Sequence, residues 1–128
     1  MNLLLDTHVL IWTIDGDPQL KIPIIKEIES SDNRIFISIA TLWEMSTKMA
    51  QGRLVLPYDN IDFVLEFMQT WHMEALDVNL AHIRAASLLP FHHGDPFDRM
   101  LVAQAKVEGF RLVSGDKKVH QYDTDILW

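Results

Sequence analysis

The chain has 128 residues, 48% of them hydrophobic, with no cysteine and a formal net charge of −7. That length supports one sizeable core, expected to be a single domain over residues 1–128, and the apolar fraction excludes disorder. Disulfides and thiolate metal sites are excluded, the acidic balance argues against a general nucleic-acid binder, and there is neither a basic leader nor an apolar run near the roughly 20 residues of a membrane span, so a cytoplasmic protein with no membrane contact is expected.

Leu3, Leu4 and Leu5 read as a buried strand that stops at Asp6, and residues 7–14 read as a helix entered through that acid. Asp15-Gly16-Asp17-Pro18 is a turn by composition. Leu20, Ile24, Ile25 and Ile28 recur at helical spacing, which predicts a helix over 19–29, and the polar run 30–34 breaks it. Ile35-Phe36-Ile37-Ser38 is a second strand. Residues 41–51 read as a helix, with Thr41-Leu42-Trp43-Glu44 in the order of a capping box and Gly52 as its stop.

Residues 54–57 make a short extended piece, 61–71 a helix, and 73–78 a weaker third strand. Asn79 caps a helix that reaches Leu88. A loop over 90–94 carries His92 and His93, and Asp95-Pro96 opens a helix closed by Gly109. Arg111-Leu112-Val113 is a fourth strand, Ser114-Gly115-Asp116 turns into Lys117-Lys118, and residues 126–128 supply a last short strand. Fully apolar strands alternating with helices predict an α/β fold: a central parallel sheet of four to five strands with helices on both faces.

Asp6, Glu44, Asp95, Asp98 and Asp116 each lie at a strand end or a helix start. Singly, each is explained as a helix cap or a first-turn acid. As a set they converge, because the carboxyl ends of parallel strands lie along one edge, where ligands bind in open α/β sheets. Asp98 also falls at helical spacing from Leu101, Val102 and Ala105, an inward stripe. A carboxylate at the head of such a stripe is costly to ionise unless a cation or a donor meets it. Clustered carboxylates repel, and a divalent metal or shared protons resolve the repulsion; oxygen donors without cysteine favour Mg2+ or Mn2+ over zinc.

Leu3-Leu4-Leu5-Asp6-Thr7-His8, Ser38 with Trp43-Glu44, the run His93-Gly94-Asp95-Pro96-Phe97-Asp98-Arg99-Met100-Leu101-Val102-Ala103-Gln104-Ala105, and Leu112-Val113-Ser114-Gly115-Asp116 resemble, in order and over the whole chain, the motifs of PIN-domain ribonucleases, above all the VapC-type toxins of bacterial toxin–antitoxin pairs. Asp95-Pro96-Phe97-Asp98-Arg99 is the most specific piece. The resemblance implies a PIN-like three-layer α/β/α fold and a Mg2+-dependent (or Mn2+-dependent) endoribonuclease. Asp6, Glu44, Asp98 and Asp116 match the family's acidic quartet, Asp95 is an additional acid, and Thr7 and Ser114 match small hydroxyl positions that support the site. Between Asp95 and Asp98, helical phase favours Asp98 as the closer metal ligand. The resemblance also implies an RNA substrate, a homodimer, and a VapB-like antitoxin that covers an apolar patch and inserts a cation into the acidic pocket.

Arg99 stands where it can hold a phosphate or pair with Asp95 or Asp98. His92 and His93 read as a solvated loop before they read as RNA contacts or proton carriers. His8 is expected to point away from Asp6 and to be structural. Lys117 and Lys118 suit a phosphate or a solvated turn equally. Trp12, Leu42, Trp43, Met45 and Met49 are expected in the core, and any left exposed would form a binding patch. Three rivals are weaker. A haloacid-dehalogenase-type phosphatase needs a second aspartate where His8 stands, a receiver-like module needs paired acids and a late lysine that are missing, and a binding domain whose acids are only caps would show no metal-dependent cleavage.

Overall fold

Three leucines in succession leave the first strand no face to turn to water, so it takes the middle of the sheet. The strands are β1 (Asn2–Leu5), β2 (Arg34–Ser38), β3 (Glu74–Leu76), β4 (Arg111–Val113) and β5 (Ile126–Leu127). The computed structural model, which describes residues 1–56 and 60–128, orders them β3-β2-β1-β4-β5, with every pairing parallel. The helices are α1 (Thr7–Asp15), α2 (Ile22–Glu29), α3 (Ile39–Ala50), α4 (Ile61–Thr70), α5 (Leu80–Leu88) and α6 (Pro96–Glu108). No helix of the described residues is long and apolar enough to cross a membrane.

The alternation of side chains along the strands divides the core in two. Leu3, Leu5, Ile35 and Ile37 point to one face, where they meet Val9 and Leu10 of α1, Ile24 and Ile28 of α2, Met45 of α3, and Val64 and Met68 of α4. Leu4, Phe36 and Leu112 point to the other, under Leu101, Val102 and Ala105 of α6 and beside Val119 and Tyr122. Helix α5 packs on α6. The result is the expected three-layer α/β/α sandwich.

Local boundaries differ from the pattern where turn chemistry wins. Helix α3 begins at Ile39, not Thr41, because the Ser38 hydroxyl accepts the Ala40 amide at 3.0 Å and caps it two residues early. Helix α2 begins at Ile22 with Pro23 in its first turn, leaving Leu20 buried ahead of the helix. Strand β3 keeps only Glu74–Leu76. Residues 54–56 are not a strand, although Leu56 is buried; Pro57, the last of that expected piece, lies outside the described residues. Gly109 closes α6 in the left-handed region at φ 68°, as its position predicts.

Register places the site. Leu5 pairs with Val113 and Leu4 with Phe36, so Asp6, Ser38 and Ser114 come side by side at the carboxyl edge. The Asp6 amide is held there by the Val113 carbonyl at 3.0 Å.

Candidate active site

Asp6 leaves β1 and caps α1: its Oδ1 accepts the Val9 amide at 2.8 Å, and the residue is buried. Burial pushes its carboxyl above the usual carboxylate range. Hydrogen bonds from the Ser114 hydroxyl and the Val9 amide, with the nearby His8, oppose the shift, and Asp116 adds to it. Ser114, itself fully buried, also receives the Asp116 amide on Oγ at 3.2 Å and thereby ties the acid after β4 to the acid after β1. Asp116 in turn accepts the Lys118 amide on Oδ1 at 2.9 Å.

Glu44 is buried, and the capping box is not formed. Its Oε1 instead takes the Thr7 hydroxyl at 2.6 Å, and its Oε2 pairs with Lys48 Nζ at 2.6 Å. With Ser38 as the cap, Thr41 falls inside the helix and faces inward, where Thr7 Oγ1 reaches its hydroxyl at 3.4 Å. Thr7 therefore joins the start of α1 to the first turns of α3.

Asp95 and Asp98 divide two tasks. Asp95 Oδ1 accepts the amides of Phe97 and Asp98 at 2.9 and 3.1 Å, which makes it the cap of α6. Asp98 caps nothing. Its side chain is 18% exposed and its Oδ2 lies 3.3 Å from His93 Nε2. Burial first, then repulsion from Asp95, and further repulsion from Asp116 and Asp6, push its pKa up to about 6, against the hydrogen bond from His93. The proton is thus favoured in the folded state. Its stabilisation is complete below pH 3.8, the ordinary aspartate value, and is lost as pH rises through about 6. In metal-free buffer Asp98→Asn is expected to be more stable than the native chain at pH 7, by about 1–2 kcal/mol once solvent screening is allowed for. The gain should vanish toward pH 4, as urea denaturation at the two pH values would read.

The remaining sequence-predicted residues sort differently. Arg99 contacts neither acid: Nη1 donates to the Pro90 carbonyl and the Tyr122 hydroxyl at 3.0 and 3.1 Å, Nη2 donates to Ala86 and Leu89, and the group lies over the Phe91 ring. A guanidinium so supplied with carbonyls holds the 89–93 loop onto α6. His8 does not point away from Asp6. It is exposed and, with Asp6, Trp12, Gly115 and Asp116, lines a cavity of about 220 Å3. Position 6 is the cap rather than a helical residue, so the two-residue offset does not place the side chains on opposite faces. His93 is not solvated loop, since its imidazole is folded between Asp98 and Tyr122, while His92 is exposed with its ring edge-on to Tyr122. Lys117 and Lys118 are exposed.

Met45 is core, Trp12, Leu42 and Met49 are half-buried against it, and Trp43 is 66% exposed. Trp43 and Ile39 of α3, Val78, and Phe97 and Met100 of α6 line an apolar groove of about 370 Å3. Sequence reasoning gave no part in the site to Lys48, Tyr122 or Trp128, the last of which it placed in a strand that ends at Leu127. Only Lys48, four residues after Glu44, carried a local signal.

The donor set around Asp6, Asp98 and Asp116 is carboxylate oxygen, which suits a hard divalent cation. Burial lifts Asp98 first and repulsion from its neighbours second, and such a cation would relieve that repulsion. Among the described residues no three acidic or histidine side chains already form a coordination shell.

A family model described as the PIN domain matches residues 3–125. Ribonuclease VapC22 of Mycobacterium tuberculosis is 25% identical over 122 residues, covering 94% of this chain and 92% of that one. Among solved structures, VapBC2 of Rickettsia felis bound to a promoter DNA fragment superposes with a TM-score of 0.77 at 16% identity, over 99% of this chain and 98% of that one. DNA-bound VapBC of Salmonella typhimurium gives 0.72 at 20% identity, over 99% and 97%. At those identities the superpositions speak for the fold.

Proposed function

This chain belongs to the PIN domain family, and from that premise we propose that it is a metal-dependent endoribonuclease acting as the toxin of a toxin–antitoxin pair in the cytoplasm. The observation that carries the reading is Asp98. Capping accounts for Asp6 and Asp95, and a local turn onto the Lys118 amide for Asp116, but Asp98 caps nothing and lies half-buried within the field of all three. A binding domain that used acids only as caps has no reason to hold a fourth carboxyl there.

Asp6, Asp98 and Asp116 are the side chains we assign to the cation, Mg2+ or Mn2+, with Glu44 behind them and Asp95 fixing the start of α6. When bound, the ion supplies charge neutralisation on the phosphodiester and a more acidic water. The chain supplies the rest. Thr7 and Lys48 hold both oxygens of Glu44, so that carboxylate is oriented by donors of its own. Ser114 fixes the spacing of Asp6 and Asp116. His8 and Trp12, with ring centroids 5.9 Å apart, form an aromatic wall to the same cavity, a surface on which an unpaired base can stack. The related structures are VapBC complexes, and a VapB-like antitoxin is the partner we assign to this chain. The exposed Trp43 groove gives such a protein, or a second copy of the chain in a homodimer, an apolar surface to cover.

The purified chain should cleave at least one member of a structured RNA panel in Mg2+ or Mn2+ and none in EDTA. Cleavage that survives EDTA, or no cleavage of any RNA in either metal, would overturn the assignment.

A further inference from the structure

Asp98 is reached by a chain of hydrogen bonds that starts at the next residue of its own helix, Arg99. Arg99 Nη1 donates to the Tyr122 hydroxyl at 3.1 Å. The Tyr122 hydroxyl lies 2.8 Å from His93 Nδ1, and His93 Nε2 lies 3.3 Å from Asp98 Oδ2. Tyr122 is buried, and the His93 side chain is only 9% exposed, so water does not compete freely for these groups.

The direction of each bond follows from what each group can do. A guanidinium only donates, so it occupies a lone pair of the Tyr122 oxygen. The phenol then has one proton to give, and its acceptors are His93 Nδ1 at 2.8 Å and the His93 carbonyl at 3.5 Å. The shorter contact takes it. His93 Nδ1 is thereby an acceptor, which leaves the ring proton on Nε2, facing Asp98 Oδ2. Among the described residues no donor meets Oδ1.

We propose that Tyr122 and Arg99 are positioning residues for the nuclease site: they fix His93 in the Nε2–H tautomer, and His93 in turn holds Asp98 by one oxygen and leaves the other turned to the cation and substrate. This rests on the nuclease reading and adds to it a tyrosine that lies between β4 and β5, 29 residues from His93. The ring contacts agree with a fixed placement. The Tyr122 ring meets His92 and His93 edge-on, at centroid distances of 4.8 and 5.4 Å. A relay of this kind acts on the orientation of a ligand rather than on the binding of RNA, so its signature is a loss in kcat with KM retained.

Two measurements test it on the full chain. In the metal-free protein, the side-chain 15N resonances of His93 should show Nε2 protonated and Nδ1 bare, and Tyr122→Phe should weaken that preference, since only Asp98 then holds the proton on Nε2, while native spectral dispersion is kept. In cleavage, Tyr122→Phe should lower kcat by about tenfold or more at unchanged KM, and His93→Gln, which keeps an N–H donor, should retain more activity than His93→Ala. A native chain with the proton on Nδ1 would overturn the proposal, and so would a Tyr122→Phe protein with native kcat. A chain that cleaves no RNA defeats the nuclease reading instead, and the tautomer then decides the relay alone.

Discussion

The Asp6→Asn protein should fold as the native chain does and lose about a thousandfold or more of its RNA cleavage. The two halves of that expectation have separate causes. The cap of α1 needs only an acceptor for the Val9 amide, and asparagine supplies one. Burial already disfavours the charged form of Asp6, so a neutral amide relieves the fold of a penalty rather than adding one. What disappears is the formal charge between Ser114 and Asp116, and with it the affinity of the carboxyl edge for a divalent ion. Thermal denaturation gives a readout free of RNA: Mn2+ should raise the midpoint of the native chain by linkage and leave that of Asp6→Asn in place. Native cleavage by a rigorously purified Asp6→Asn chain would remove Asp6 from the machinery.

A methyl group at position 115 should cost about 1–3 kcal/mol of stability and most of the activity. Gly115 leads into Asp116, and a Cβ built on it would lie 2.5 and 2.6 Å from Cε2 and Cζ2 of Trp128, and 3.0 Å from its Nε1. The indole cannot bend away. It must swing as a plate, losing Trp12, whose centroid is 5.9 Å distant, and the Lys21 ammonium that sits 5.0 Å from its ring. Either Trp128 leaves or the 114–116 segment is displaced, and the latter moves Asp116 off Ser114. Urea midpoints in two backgrounds separate the causes. Gly115→Ala should be costly in the native chain and nearly free beside Trp128→Ala, a coupling that close neighbours show and distant sites do not. Equal costs in both backgrounds would place the effect elsewhere.

The layered fold was legible because its strongest signals are long-range in effect but local in sequence. Three adjacent leucines and Ile35-Phe36-Ile37 can only be strands buried on both faces, and parallel strands bring their carboxyl ends together whatever the loops do. Hence Asp6 and Asp116 could be set on one edge before any contact was known. The finer site was not legible where a local motif competed with a distant partner. Thr41-Leu42-Trp43-Glu44 satisfies the spacing of a capping box, yet Ser38 caps first and Glu44 is taken by Thr7 from another helix. His93 carries no sequence mark of its partner, because Tyr122 lies 29 residues away across α6 and β4. His8 was misplaced by treating a cap as part of the helix. Arg99, beside two acids in sequence, is claimed instead by four oxygen acceptors from the preceding helix, the loop and Tyr122.

The central position of β1 has a consequence for biosynthesis. Strand β1 is made before the strands that are built around it, and its neighbour β4 follows only after β2 and β3. Until residues 111–116 have emerged, Asp6 has neither the Ser114 hydroxyl nor the Asp116 carboxylate beside it. The site of a nascent chain is thus incomplete until β4 has emerged, and its closure awaits the pairing of Leu5 with Val113, distant in sequence, the kind of contact that makes folding slow. For the nuclease proposed above, the strand order itself delays completion of the site until β4 has been made.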